Sequence, residues 1–109
     1  MEITADRAFW IFDFYRRHGT VLCFADKMPG EAISTEAYVS DVSREANAID
    51  VKLIDRDMDQ IFERVIPLRH ASFFLLQMGD IEFDQLKNPP FHSVLIMAFP
   101  DGKRMHLAE

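Results

Sequence analysis

Apolar and polar residues alternate from Ala48 onward. Ile49, Val51 and Leu53 share one face of an extended chain, and Asp50 and Lys52 share the other. Successive side chains of a strand point to opposite faces, so this period of two predicts a half-buried strand. Asp55, Arg56, Asp57, Met58 and Asp59 break the pattern with turn chemistry, and Phe62, Arg64 and Ile66 resume it. Residues 48–55 and 61–66 are therefore predicted to pair as a hairpin. Pro67 has no N–H for a ladder, so the chain must turn or sit at a sheet edge there. Ala71 to Leu76 is a nearly continuous apolar run, which predicts a strand buried on both faces. The predicted core is Ile49, Val51, Leu53, Ile66, Phe74 and Leu76.

The period changes near the N-terminus. Ala5, Ala8, Ile11, Phe12, Phe14 and Tyr15 fall on one broad arc at helical spacing, with Asp6, Asp13, Arg16 and Arg17 opposite. Thr4 is the predicted N-cap, and His18–Gly19 the predicted stop. Val21 to Phe24 reads as a short strand, Asp26 to Gly30 as a loop with a Pro29–Gly30 turn, and Ile33 to Val42 as a weaker strand. That strand is weak because Tyr38 and Val42 share a face that Val39 opposes. Ser43 to Asn47 is a polar turn. One or two helical turns are predicted from Gly79 through Leu86, stopped by Asn88-Pro89-Pro90. Phe91 to Phe99 is another apolar strand. Pro100-Asp101-Gly102-Lys103 predicts a type I′ hairpin turn into Met105 and Leu107.

A length of 109 residues suits a single domain over 1–109, and 49% hydrophobic residues can fill a core. The formal charge of −6 argues against sequence-independent binding to nucleic acid, which depends on neutralising phosphates. One cysteine, Cys23, excludes an intrachain disulfide and fits a reducing, cytoplasmic setting. No apolar run approaches the roughly 20 residues that span a bilayer, and no signal peptide is expected.

Helix followed by five short strands, punctuated by Pro and Gly, resembles the Sm-like small β-barrel. Two strings are similar to its bacterial RNA-chaperone branch, Hfq. Tyr15-Arg16-Arg17 closes the first helix, where that family carries arginines on the rim of its ring. Leu68-Arg69-His70-Ala71-Ser72 is similar to the family's pore-lining Lys-His segment. The resemblance covers residues 4–77 and implies a ring whose RNA or anion contacts fall on Arg16, Arg17, Arg69 and His70. The family's base-stacking aromatic has no counterpart near Asn47–Ala48, and residues 78–109 extend beyond the minimal barrel.

Candidate catalytic chemistry is sparse. Asp55-x-Asp57-x-Asp59 opens like a calcium loop, but Gln60 and Ile66 stand where such a loop needs Gly and a bidentate Glu. His18, His70, His92 and His106 lack metal-binding spacing, and no Gly-rich phosphate loop or Ser elbow occurs. No metal site and no cofactor are expected. Phe9, Trp10 and Phe14 are the candidate partner-binding residues. The expected fold is α+β and mainly β, an N-terminal helix on a small antiparallel sheet or Sm/SH3-like barrel with an extra C-terminal β-hairpin. The expected function is non-catalytic binding by a cytoplasmic homo-oligomer that docks a protein partner. The homo-oligomer is expected because residues 71–76, residues 91–99 and the aromatic helix carry more apolar surface than a chain this short readily buries. Two other readings are a small acidic inhibitor, or antitoxin-like protein, of a nucleic-acid-handling partner, and an Sm-like RNA regulator.

Overall fold

A computed structural model describes residues 1–28, 31–57, 59–77 and 93–109. The predicted Pro29–Gly30 turn and the helical turns predicted over 79–86 lie outside the described residues. One helix, α1 (Ala5–His18), packs on an eight-stranded antiparallel sheet. The strands are β1 (Glu2–Ile3), β2 (Leu22–Met28), β3 (Glu31–Arg44), β4 (Ala48–Asp55), β5 (Ile61–Pro67), β6 (Ser72–Gln77), β7 (Ser93–Ala98) and β8 (Arg104–Ala108). Their order across the sheet is β1-β6-β7-β8-β2-β3-β4-β5.

The helix begins and ends where its sequence dictates. The Thr4 hydroxyl accepts from the Arg7 N–H at 3.1 Å, satisfying one of the donors a helix leaves open at its start. Gly19 takes the left-handed conformation, φ 58°, and Thr20 N–H closes back on the Tyr15 carbonyl at 3.2 Å. Ala8, Ile11, Phe12 and Tyr15 face the sheet and are buried. Leu22, Phe24, Val39, Ile49, Val51, Leu53, Ile66, Leu95, Met97 and Leu107 pack with them from the strands. At 14 residues α1 is too short to cross a membrane, and no helix among the described residues is long and apolar enough to do so.

The barrel expected from the Sm-like resemblance does not form. β1 and β5 are the two margins of an open sheet and do not pair with each other. Pairing explains why. The turn after β5 leads into β6, but both edges of β6 are taken, one by β1 and the other by β7. The margin opposite β5 is therefore the two-residue β1, too short to seal a seam. The Sm/SH3-like barrel is replaced by a curled open sheet.

Three local expectations also change. β2 continues through Met28, where a loop was predicted from Asp26. β3 is long, and its register against β4 shifts between Val39 and Asp41. This bulge adds one residue at Ser40 and reverses the in–out parity, so that Ala37, Val39 and Val42 all pack on the core. The clash between Val39 and Val42 in the sequence pattern is the mark of that bulge. The last hairpin is not type I′. Gly102 N–H bonds the Phe99 carbonyl at 3.1 Å, which puts Pro100 at the first central position, where its ring forbids positive φ. Gly102 itself supplies the positive φ, 86°.

The predicted β4 register holds, with Ile49, Val51, Leu53 and Ile66 all buried. Leu76 is buried too, but with Val94, Ile96 and Ala108 on the opposite face of the sheet, and Phe74 is half-buried beside them. Val94, Leu95, Ile96 and Met97 of β7 are all buried within this one chain. The very apolar strands therefore do not themselves demand an oligomer.

Tyr15 provides a pH test of the packing. Burial pushes its phenol up to about 12, the Glu109 carboxylate adds to the rise, and a hydrogen bond with Ser93 offsets part of it. A raised pKa means that the fold prefers the neutral phenol. Its contribution is complete below the unfolded value near pH 10 and is lost as pH climbs through about 12. Melting followed by circular dichroism should fall between pH 10 and 12 in the parent and fall less in Tyr15→Phe. Parallel curves would mean that Tyr15 is not seated under the sheet.

Candidate functional site

The curl of the sheet creates the candidate site. β5 is three strands from β2, about 14 Å in a flat sheet. Arg64 on β5 nevertheless holds Asp26 on β2, with Nη2 at 2.6 Å and Nε at 3.0 Å from Oδ2. The side chains meet only because the sheet bends round α1. The Arg64 guanidinium also lies over the rings of Phe24 and Phe62, 5.4 and 5.2 Å from their centroids, and donates to its neighbour's carbonyl, Glu63 O, at 2.9 Å. Arg64 thus fastens the free margin of the sheet to its middle.

Beside this bridge lies a cleft of about 610 Å³. One wall is Val65, Ile66 and Pro67 of β5, and the other is Phe99 and Pro100 at the β7–β8 turn with Met105 of β8. Arg64, Asp26, His70, Asp101, Lys103 and Arg104 supply the polar lining. The Asp101 carboxyl is held below the usual carboxylate range, first by the Lys103 backbone N–H at 3.0 Å and further by the Lys103 ammonium. Arg104 is exposed on β8, and its side chain has no ion-pair or hydrogen-bond partner among the described residues.

The outer margin of β5 is a second feature. Leu68 N–H bonds Asn47 O at 2.9 Å and Asp55 N–H bonds Gln60 O at 2.8 Å. Antiparallel ladders alternate, so residues 62, 64 and 66 face β4 with their backbone groups, and residues 61, 63 and 65 direct theirs to the outer side, where no strand among the described residues pairs with them. Ile61 and Val65 are 67% and 58% exposed on that strand. Pro67 ends the row of donors.

A third feature runs along α1. Arg7 sits over Trp10 at 4.9 Å, Trp10 stacks on Phe14 at 5.6 Å, and Phe14 meets His18 at 4.2 Å. Trp10 is 47% exposed, while Phe9 and Phe14 are half-buried against the core. Two of the three predicted partner-binding residues thus form one ridge, and Phe9 turns toward the sheet.

The four predicted RNA or anion contacts do not come together. Asp6 in the first turn of α1 pairs with Arg44 at the end of β3, the end of the sheet that also carries the turn at Leu68–His70. Arg16 and Arg17 stand ten and eleven residues along the helix from Asp6, a rise of roughly 15–17 Å. Both are tied to Asp13, at 2.8 and 3.1 Å. Of the four, only His70 reaches the cleft.

The aspartate run is a hydrogen-bonded turn. Asp55 accepts from Asp57 N–H at 2.9 Å and from the Thr35 hydroxyl at 3.1 Å, and Asp59 has φ 53°. No group of three metal ligands occurs among the described residues, and Cys23 is a free thiol packed on the outer apolar cluster. Arg64, Lys103 and Arg104 were not singled out in the sequence. Arg64 had one visible signal, a charge on the buried face between Phe62 and Ile66. Comparison with family models, with curated proteins and with solved structures gave no match.

Proposed function

We propose that this chain is a non-catalytic interaction protein of the cytoplasm that pairs with a second copy of itself along β5 and presents the α1 ridge to a protein partner. The observation that carries the reading is the outer margin of β5, with Ile61 and Val65 exposed beside backbone groups that have no strand partner among the described residues. Such a margin is a template for strand addition. A two-fold antiparallel pairing centred on Glu63 sets Ile61 opposite Val65 of the second copy, twice. Each apolar pair is worth about 0.2–1 kcal/mol, and the Glu63–Glu63 contact at the axis opposes them by a similar amount. Pairing stops at Val65, short of Pro67, which has no donor to add.

Light scattering at tens of micromolar is the test. The parent is expected at twice its 12.7 kDa chain mass. Ile61→Lys should return it to the monomer, and Glu63→Gln should tighten the dimer by removing the repulsion at the axis. A monomeric parent would remove the self-pairing. The ridge stays outside the β5 contact, and an exposed Trp flanked by Arg has the composition of a protein-binding hot spot.

A further inference from the structure

We infer that the α1 ridge docks an acidic peptide segment of its partner, an inference that rests on the ridge being the protein-binding surface proposed above. Carboxylates of the segment meet Arg7 and Arg17 at the two ends, and its apolar side chains lie against the ring edges of Trp10 and Phe14 between them. Arg7 sits one turn before Trp10, 4.9 Å from the ring centroid, and Phe14 one turn after it, stacked at 5.6 Å. Phe14 stands in turn between Trp10 and His18, whose ring is at 4.2 Å. These planar groups cover one another's faces and leave their edges outward. A helix capped at both ends holds them in that order, so little side-chain freedom is lost on binding. Ring edges carry the positive end of the aromatic quadrupole, and guanidinium and indole N–H groups donate without accepting. The complement is a ligand rich in acceptors and negative charge. Nucleic acid held by aromatic residues needs open ring faces, which this stack does not offer.

Charge points the same way. In a chain of net −6, α1 carries three arginines and two aspartates. Asp6 is taken by Arg44 of β3, and Asp13 serves Arg16 and Arg17 together, at 2.8 and 3.1 Å. Arg7 is exposed, and its side chain has no ion-pair partner among the described residues. Its planar fork of donors suits a carboxylate held at two points. Salt at physiological strength screens exposed charges over about 8 Å, so the acidic remainder of the chain does not outweigh arginines in direct contact. Arg7 and Arg17 are ten residues apart, a rise of roughly 15 Å. An extended peptide covers that distance in about five residues at roughly 3.3 Å each, which sets the spacing of its acidic groups.

The probe is the blocked hexapeptide Glu-Glu-Leu-Leu-Glu-Glu, titrated into the full chain at physiological salt while the fluorescence of Trp10, the one tryptophan, is followed. Gln-Gln-Leu-Leu-Gln-Gln, Lys-Lys-Leu-Leu-Lys-Lys and hexauridylate are the neutral, cationic and nucleic-acid counterparts. The acidic peptide should saturate one site per chain by about 1 mM, the neutral one should bind at least about tenfold more weakly, and the other two should not bind. Arg7→Met should weaken the acidic peptide by about tenfold or more, since it removes a charge-assisted contact. Arg56→Met, an exposed cation on the β4–β5 turn, should bind as the parent does, and so should Ile61→Lys, which separates the proposed dimer. Amide shifts along residues 7–18 locate the peptide in the parent itself, whatever happens to the variants. No saturable binding, unchanged affinity in Arg7→Met, an equal loss in Arg56→Met, or binding of hexauridylate would each overturn the inference. Equal affinity for the neutral peptide, with shifts along α1, would overturn it and leave the ridge a protein-binding surface. Shifts confined to another face would end both.

Discussion

Phe12→Ala should lower the stability of this fold by about 3–5 kcal/mol, the usual cost of emptying a fully buried phenylalanine site. Phe12 is completely buried, in the middle of the α1 face that the curled sheet surrounds. A cavity costs most where its walls cannot collapse. Here the walls are held from several sides: α1 is capped at both ends, β3 is bent at its bulge, and Arg64 ties β5 to Asp26. Domains of this size are stable by about 5–15 kcal/mol, so the variant should lose a large share of the total. Phe14→Ala is the matched control, because Phe14 is only half-buried on the ridge, and it should cost clearly less. Urea unfolding of the two variants reads the difference. A cost for Phe12→Ala no larger than that for Phe14→Ala would mean that α1 is rotated from the orientation described.

What was legible in the sequence is what depends on neighbours along the chain. The α1 stripe, its caps and the alternation in β4 follow from residues a few positions apart, where period and capping chemistry act directly. The path from strands to sheet was not legible in that way. The two residues of β1 are too few to carry a period, yet their pairing with β6 helps to keep the sheet open. The bulge at Ser40 disguised a long strand as a weak one, because a single inserted residue reverses parity for everything after it. The barrel expectation failed for a related reason. Strand patterns say which face is buried and leave open which edge meets which.

The site is further from sequence than the fold. Arg64 and Asp26 are 38 positions apart and meet only through curvature. Lys103 and Arg104 follow a turn whose type was misread, since Pro100 excludes the positive φ that an Asp-Gly turn of type I′ requires. His70 was singled out by the Hfq resemblance and does line the cleft, while Arg16 and Arg17 lie at the far end of α1, bound to Asp13. A string such as Leu68-Arg69-His70 places residues relative to each other, and the pairing of strands decides what they face.

Leu53→Ala is expected to cost about 2–5 kcal/mol, and its neighbour Lys52→Ala to stay within about 0.5 kcal/mol of the parent. The contrast follows from alternation alone. Leu53 is fully buried, and Lys52, one residue earlier, points to solvent. Across the sheet Leu53 sits between Val39 on β3 and Phe62 on β5. Val39 is the last inward residue before the bulge, and Phe62 carries one of the rings under Arg64. Shortening Leu53 therefore opens a void between two side chains whose own positions are fixed by other constraints, and relaxation can recover little of the loss. Thermal or urea melts of both variants make the measurement. Equal effects at 52 and 53 would place the register of β4 off by one residue, which would turn Asp50 and Lys52 into the core and undo the inner face on which α1 rests.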